Sequence, residues 1–180
     1  HAAAGGMGLI LCQWAKALGA TTIGTVSTAE KAEVAKAAGC HFPVVRSEKN
    51  FVDVVREVTS DEGCAVVYEA IGKDTLQDSL DSLRPMGVCA AYGHVSGPPD
   101  PVDIIQDLGR RGSLFITRPA IMHYVAKRAD LEWTARDLFQ AIGDGVISAN
   151  INYEYELKDA VQAHEAIESG TTLGASVLIP

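Results

Sequence analysis

The chain has 180 residues, 47% hydrophobic and 21% charged, a globular balance with room for one domain and a core of ordinary size. Its formal net charge of -8 argues against a nucleic-acid partner or an anionic membrane surface. No apolar run approaches the ~20 residues that span a bilayer.

In chain order, Met7, Ile10, Leu11, Trp14, Ala15 and Leu18 recur near a 3.6-residue period and predict a helix over 8–18, stopped by Gly19. Residues 21–26 read as a β-branched strand. Thr28 is placed to cap a second helix over 29–38, with Gly39 as its stop. A brief strand follows at 43–45, and Ser47 is the expected cap of a helix carrying the stripe Phe51, Val54, Val55 and Val58. Residues 65–68 read as a buried strand. Leu76, Leu80 and Leu83 line one face of a helix that Pro85-Met86-Gly87 ends. A strand at 88–92 leads into a Gly/Pro-rich turn at 93–101, a helical segment near 102–110 and a strand at 113–117. A long amphipathic helix is expected over 129–142, then a strand at 153–155, a helix at 158–168 and a last strand at 175–179. Strands alternating with helices predict an α/β fold: a Rossmann-type, doubly wound parallel sheet with helices on both faces, in three layers.

The opening His1-Ala-Ala-Ala-Gly-Gly-Met-Gly8 contains Ala-x-Gly-x-x-Gly at 3, 5 and 8, one residue away from the dinucleotide fingerprint G-x-G-x-x-G. A pyrophosphate must come within reach of backbone N–H groups, and a side chain at Gly5 would hold it away. Gly8 lets the helix pack closely, and the helix N-terminus adds unpaired donors and partial positive charge. Almost nothing precedes these glycines, although the fingerprint normally follows a buried strand. The chain is therefore expected to be a piece of a longer protein.

Enzymes that use NAD usually place Asp or Glu at the end of the second strand, where it accepts hydrogen bonds from the adenosine ribose. Here that position holds Ser27, within Thr25-Val26-Ser27-Thr28. An acid would repel a 2′-phosphate by on the order of 4 kcal/mol per unit charge at ~4 Å and an effective dielectric of ~20. A hydroxyl removes that repulsion. Lys31 lies four residues on and Arg46 ends the third strand, so all three are candidates for a 2′-phosphate, and NADP(H) is the expected cofactor.

The next two strands end at Glu69-Ala-Ile-Gly72 and Tyr92-Gly93-His94, where an open parallel sheet binds its ligands. Glu69 has no identifiable partner base or metal ligand and reads as a solvated strand-end acid, and His94 as a contact residue. Cys12, Cys40, Cys64 and Cys89 stand singly without C-x-x-C, which reads as buried thiols in a reducing compartment and no metal site.

Longer stretches carry a resemblance: the opening through Leu9, Cys12-Gln-Trp-Ala-Lys-Ala-Leu-Gly-Ala20, Ile23-Gly-Thr-Val-Ser-Thr28 with Lys31, and Val66-Val-Tyr-Glu-Ala-Ile-Gly72. Gly112-Ser-Leu-Phe-Ile-Thr-Arg-Pro119, Leu157-Lys-Asp-Ala-Val-Gln-Ala-His-Glu-Ala-Ile167 and Gly174-Ala-Ser-Val-Leu-Ile-Pro180 complete it. Together they resemble the quinone oxidoreductase branch of the medium-chain dehydrogenase/reductase superfamily, whose vertebrate relatives include zeta-crystallin.

The resemblance implies an enzyme that reduces quinones or related α,β-unsaturated carbonyls with NADPH and needs no zinc. By position, Ala4, Gly5, Gly6 and Met7 would hold the pyrophosphate, and Ser27, Lys31 and Arg46 the 2′-phosphate. Tyr92, Gly93 and His94 would flank the middle of the cofactor, and Phe115, Ile116 and Thr117 the nicotinamide. Arg46 departs from the tyrosine or histidine common at its position. No catalytic residue is assigned. Residues 1–150 would be the NADP(H)-binding domain, and 151–180 a tail that packs toward an absent N-terminal GroES-like domain of roughly 120–150 residues. That tail should expose apolar surface. The strand from Ser113 to Thr117 would pair across a twofold axis in a cytoplasmic homodimer. The alternatives are an NADPH-binding structural or sensory module without turnover and, further off, a zinc alcohol dehydrogenase.

Overall fold

In the computed structural model, which describes residues 1–180, helices and strands alternate throughout the chain. They are α1 (Gly6–Ala17), β1 (Ile23–Val26), α2 (Ala29–Ala37), β2 (Phe42–Val45), α3 (Phe51–Thr59), β3 (Cys64–Glu69), α4 (Leu76–Asp81) and β4 (Leu83–Ala91). After a π-helical turn at Ile104–Gly109 come β5 (Phe115–Thr117), α5 (Ile121–Tyr124), α6 (Arg128–Gly143) and β6 (Ile151–Glu156). A 3-10 turn at Leu157–Asp159 leads into α7 (Ala160–Glu168) and β7 (Ala175–Ile179). The strands hydrogen-bond as β1-β2, β3-β4-β5 and β6-β7. The pairs β3-β4, β4-β5 and β6-β7 are parallel, the α/β architecture expected from the alternation.

The chain divides into two compact units. One joins Ala2–Pro43 to Asp137–Pro180; the other is Val44–Arg136 with His1. In the first, small residues form much of the core: Ala3, Ala4, Cys12, Ala32, Ala35 and Cys40 are buried, with Val26 and Ile147. The Thr28 hydroxyl accepts from the Lys31 N–H at 3.3 Å and starts α2, as its position predicts. In the second unit, Leu76, Leu80, Leu83, Cys89 and Leu114 form a buried cluster, and Val67, Ala91 and Ile116 pack against it.

Local structure departs from the sequence reading in four places. Asn50, not Ser47, caps α3: its Oδ1 accepts from Val52 N at 2.8 Å, while Glu48 and Lys49 turn back to the Val45 carbonyl. β3 is not buried on both faces. Val67 packs against the core, but Val66 and Tyr68 are 43% and 49% exposed, because successive side chains point to opposite faces and only the Val67 face is covered. Leu83 begins β4 rather than ending α4, where Ser82 closes the helix by donating to the Asp78 carbonyl at 2.8 Å. Pro85-Met86-Gly87 lies within β4. Cys64 pairs with Leu83 and Val66 with Val88, so residues 84–87 loop out of register. The segment near 102–110 is helical in the wider π form, started by Asp103, whose Oδ1 accepts from Ile105 and Gln106 N–H at 2.8 and 2.9 Å. Those bonds, Gln106 first, hold the Asp103 carboxyl below its ordinary range.

Candidate cofactor site

The first unit contains the glycine loop. Gly5 caps α1 through its backbone alone, and no acid occupies the first turn, so the N–H groups there meet no negative side chain. The loop closes on itself through Gly5 N to Ala2 O at 2.9 Å, and it is held against β1 by Ala3 N to Thr25 O at 3.0 Å. Gly8 has no room for a side chain: a Cβ there would lie 2.3 Å from the Ala2 oxygen and 2.7 Å from Ala3 Cα. Ala4 is buried and Met7 exposed. Gly5 bridges to Gly174, and Gly174 N donates to Ala4 O at 2.9 Å. Beside α1 is a cavity of about 390 Å³ lined by Gly6, Leu9, Gln13, Asn150 and Gly174. The Gln13 side chain clamps Ser148 there, accepting from its N–H at 2.8 Å and donating to its carbonyl at 3.2 Å.

Ser27 is exposed at the end of β1, and Lys31 follows in the first turn of α2. The Lys31 ammonium donates to the Gly170 carbonyl, a partner the sequence did not indicate. Arg46 belongs to the second unit. It is exposed at the end of β2 and lines a polar cavity of about 350 Å³ with Lys49, Asn50, Asp74 and Asp78.

In the second unit the carboxyl ends of β3, β4 and β5 come together, as parallel pairing requires. Thr117 pairs with Ala90, which brings the strand of Phe115, Ile116 and Thr117 beside the one that leads to Tyr92, Gly93 and His94. Arg118 ties the two ends: one guanidinium nitrogen donates to the Ala91 carbonyl at 2.9 Å, and another lies 3.4 Å from His94 Nδ1. Phe115 and His94 are exposed, and Tyr92 is half-buried. Burial, then the nearby Glu69 charge, pushes the Tyr92 phenol above its ordinary range.

Glu69 corrects the sequence reading most sharply: it is completely buried rather than solvated. Its Oε1 accepts from Ile71 N at 2.7 Å, Gly72 N at 3.0 Å and the Thr75 hydroxyl at 2.9 Å. Its Oε2 accepts from Thr75 at 3.0 Å and from the Ser79 hydroxyl, with His1 Nε2 at 3.3 Å. His1 Nε2 also lies 2.8 Å from the Ser79 oxygen. The available signal was the spacing Glu69-x-x-Gly72-x-x-Thr75, which sets a strand-end acid over the turn that starts a helix.

The fold also pairs two thiols that the sequence places singly. Cys12 and Cys40 are both buried in the first unit, and their interaction lowers the Cys40 thiol to about 7 and raises Cys12 well above its ordinary value. Burial, with Glu69, pushes Cys89 up to about 12. No three His, Cys, Asp or Glu side chains converge as a metal ion would require.

A family model described as zinc-binding dehydrogenase matches residues 6–135. The chain is 52% identical over 180 residues to 2-haloacrylate reductase of a Burkholderia species, covering 100% of this chain and 54% of that protein. It is 44% identical over 182 residues to quinone oxidoreductase 1 of Escherichia coli K12, covering 100% of this chain and 55% of that protein. The crystal structure of Escherichia coli quinone oxidoreductase complexed with NADPH matches it with a TM-score of 0.95 at 44% identity, over 100% of this chain and 56% of that one. The chain spans about half the length of the curated relatives it matches. With this match over most of its length, on a Rossmann-like α/β fold, the chain belongs to the zinc-binding dehydrogenase family, and along its whole length it is similar to quinone oxidoreductases and 2-haloacrylate reductase.

Proposed function

We propose that this chain is the NADP(H)-binding part of an NADPH-dependent quinone oxidoreductase. The observation that carries the cofactor reading is the pairing of an acid-free glycine loop with Ser27 at the end of β1 and Lys31 in the first turn of α2. The residues fit the group. The first turn of α1 offers N–H donors without opposing charge, and Ser27 stands where an acid would repel a 2′-phosphate. When bound, NADPH supplies a hydride from nicotinamide C4 to a quinone or related enone. Ala4, Gly5, Gly6 and Met7 hold the pyrophosphate, while Ser27, Lys31 and Arg46 hold the 2′-phosphate, Lys31 exchanging the Gly170 carbonyl for it. Tyr92, Gly93 and His94 orient the middle of the cofactor, and Phe115, Ile116 and Thr117 border its nicotinamide. The family description names zinc, but no three His, Cys, Asp or Glu side chains of this chain come together as a zinc site.

Residues 1–150 form the cofactor domain in this reading, and 151–180 a tail that meets another part of the protein. Ile151, Leu157, Val161 and Ile167, all more than half exposed, support that role. The edge position of β5 supports a homodimer formed through it. The four free thiols support a reducing, cytoplasmic setting.

The test is the affinity of the protein for NADPH and NADH, followed by turnover against quinones and enones. NADPH should bind more tightly, and a quinone or enone should be reduced. Weaker binding of NADPH than of NADH overturns the cofactor assignment. Tight NADPH binding with no reduction of any acceptor replaces the enzyme with a binding module.

A further inference from the structure

We propose that Glu69 is the positioning residue of the cofactor site, a buried acceptor that sets the two loops at the ends of β3 and β4. The inference rests on the NADP(H) reading above. Glu69 touches no expected ligand group; it acts through what it holds.

Its carboxylate gathers donors from two directions. Ile71 N, Gly72 N and the Thr75 and Ser79 hydroxyls come from the turn into α4. His1 Nε2 comes from the residue that leads by sequence into the glycine loop. Its own carbonyl then receives Tyr92 N at 2.9 Å and Gly93 N at 3.2 Å. One residue thus orders the 70–75 loop with its side chain and the 92–93 loop with its backbone.

The two loops are also joined directly. Ser96 N donates to Ile71 O at 2.8 Å, Lys73 N donates to Gly97 O at 3.1 Å, and the Ser96 hydroxyl receives Asp74 N at 3.0 Å. Gly93 packs so tightly that a Cβ would lie 2.4 Å from the Ala70 oxygen. Any shift of the 70–75 loop is therefore transmitted to Tyr92, Gly93 and His94. A fully buried carboxylate is kept only where its acceptor sites are filled, and these are. An apolar residue would fill the same space, so the burial of a charge here requires a reason beyond packing. The loop geometry supplies one.

The experiment compares Glu69→Gln, Thr75→Val and Thr75→Ser with the unaltered protein, reading NADPH affinity by fluorescence and melting temperature in parallel. Thr75→Val keeps the shape and removes the donor; Thr75→Ser keeps the donor. The expected result is a Kd for NADPH about tenfold weaker in Thr75→Val and weaker still in Glu69→Gln, with Thr75→Ser restored to within about twofold. A merely structural role would lower the melting temperature and leave the Kd of the folded protein unchanged in every variant; that result overturns the inference alone. If Glu69→Gln does not fold, the Thr75 pair still decides. If the unaltered protein fails to bind NADPH, the functional reading falls and this inference falls with it.

Discussion

Replacing Gly8 with alanine would set a Cβ 2.3 Å from the Ala2 carbonyl oxygen and 2.7 Å from both Ala3 Cα and the Ala3 carbonyl carbon. All three neighbours are backbone, so no rotamer change relieves the clash and the loop itself must move by about 1 Å. Alanine in a helix gains roughly 1 kcal/mol over glycine in propensity. Overpacking costs about 1–3 kcal/mol, and a clash with backbone belongs at the upper end. The net loss is then about 2 kcal/mol, a fall in Tm of about 4–8 °C for a chain of this size. The displaced loop also loses one or two hydrogen bonds to the pyrophosphate, so NADPH affinity should weaken about 10–100-fold. Gly6→Ala is the control: its Cβ would meet the Gly174 oxygen at 3.4 Å, an ordinary contact, so Tm should stay within about 2 °C. Thermal melts with NADPH titrations on both variants check the argument. Wild-type Tm and affinity in Gly8→Ala would refute the close-packing account. A lower Tm with unchanged affinity would detach the loop from the phosphate.

Ser27→Asp should reverse the cofactor preference: the added charge weakens NADPH about 10–100-fold after solvent screening and leaves NADH within about threefold. Paired Kd measurements decide it, and unchanged NADPH affinity would remove Ser27 from the 2′-phosphate site. The thiols predict a pH profile of stability. Between the folded Cys40 value of about 7 and its ordinary value of 9.0, the native protein has lost a proton that the unfolded chain retains, so stability should rise with pH. Above that window the unfolded chain releases protons that folded Cys12, Cys64 and Cys89 keep, so stability should fall. Urea unfolding from pH 7 to 10 reads both limbs; Cys40→Ala should abolish the rise, and a flat wild-type profile from 7 to 9 would contradict the pairing. If β5 is the dimer edge proposed above, Phe115→Lys, which places a charge on its exposed face, should leave a monomer in light scattering. A Phe115→Lys dimer as stable as wild type would move the interface elsewhere.

Much of the architecture was legible because its determinants are local. Thr28 caps α2 three residues from the N–H it binds, and β7 spans the residues, 175–179, where the sequence reading put it. The glycine loop was legible for the same reason, since Gly5 and Gly8 act on neighbours within six residues. Where two local signals competed, the reading faltered. Ser47 and Asn50 both cap well, and only the turn of Glu48 and Lys49 onto Val45 leaves the role to Asn50. Pro85-Met86-Gly87 has a helix-ending composition, yet it serves as a bulge because Leu83 and Val88 both pair with β3.

The sequence by itself determined the alternation of strands and helices, the close-packed glycine loop and the absence of an acid after β1, each a property of adjacent residues. Only the tertiary structure decided which side chains would share one environment. Glu69 looked like a solvated strand-end acid, and the fold buried it beneath His1, Thr75 and Ser79. Cys12 and Cys40 looked solitary until the packing of the first unit joined them. Val66 and Tyr68 looked like core until the fold covered only the opposite face of β3. The physical reason is the same in each case. Propensity and capping depend on residues one to four apart, whereas burial and side-chain pairing depend on partners that only chain folding brings near.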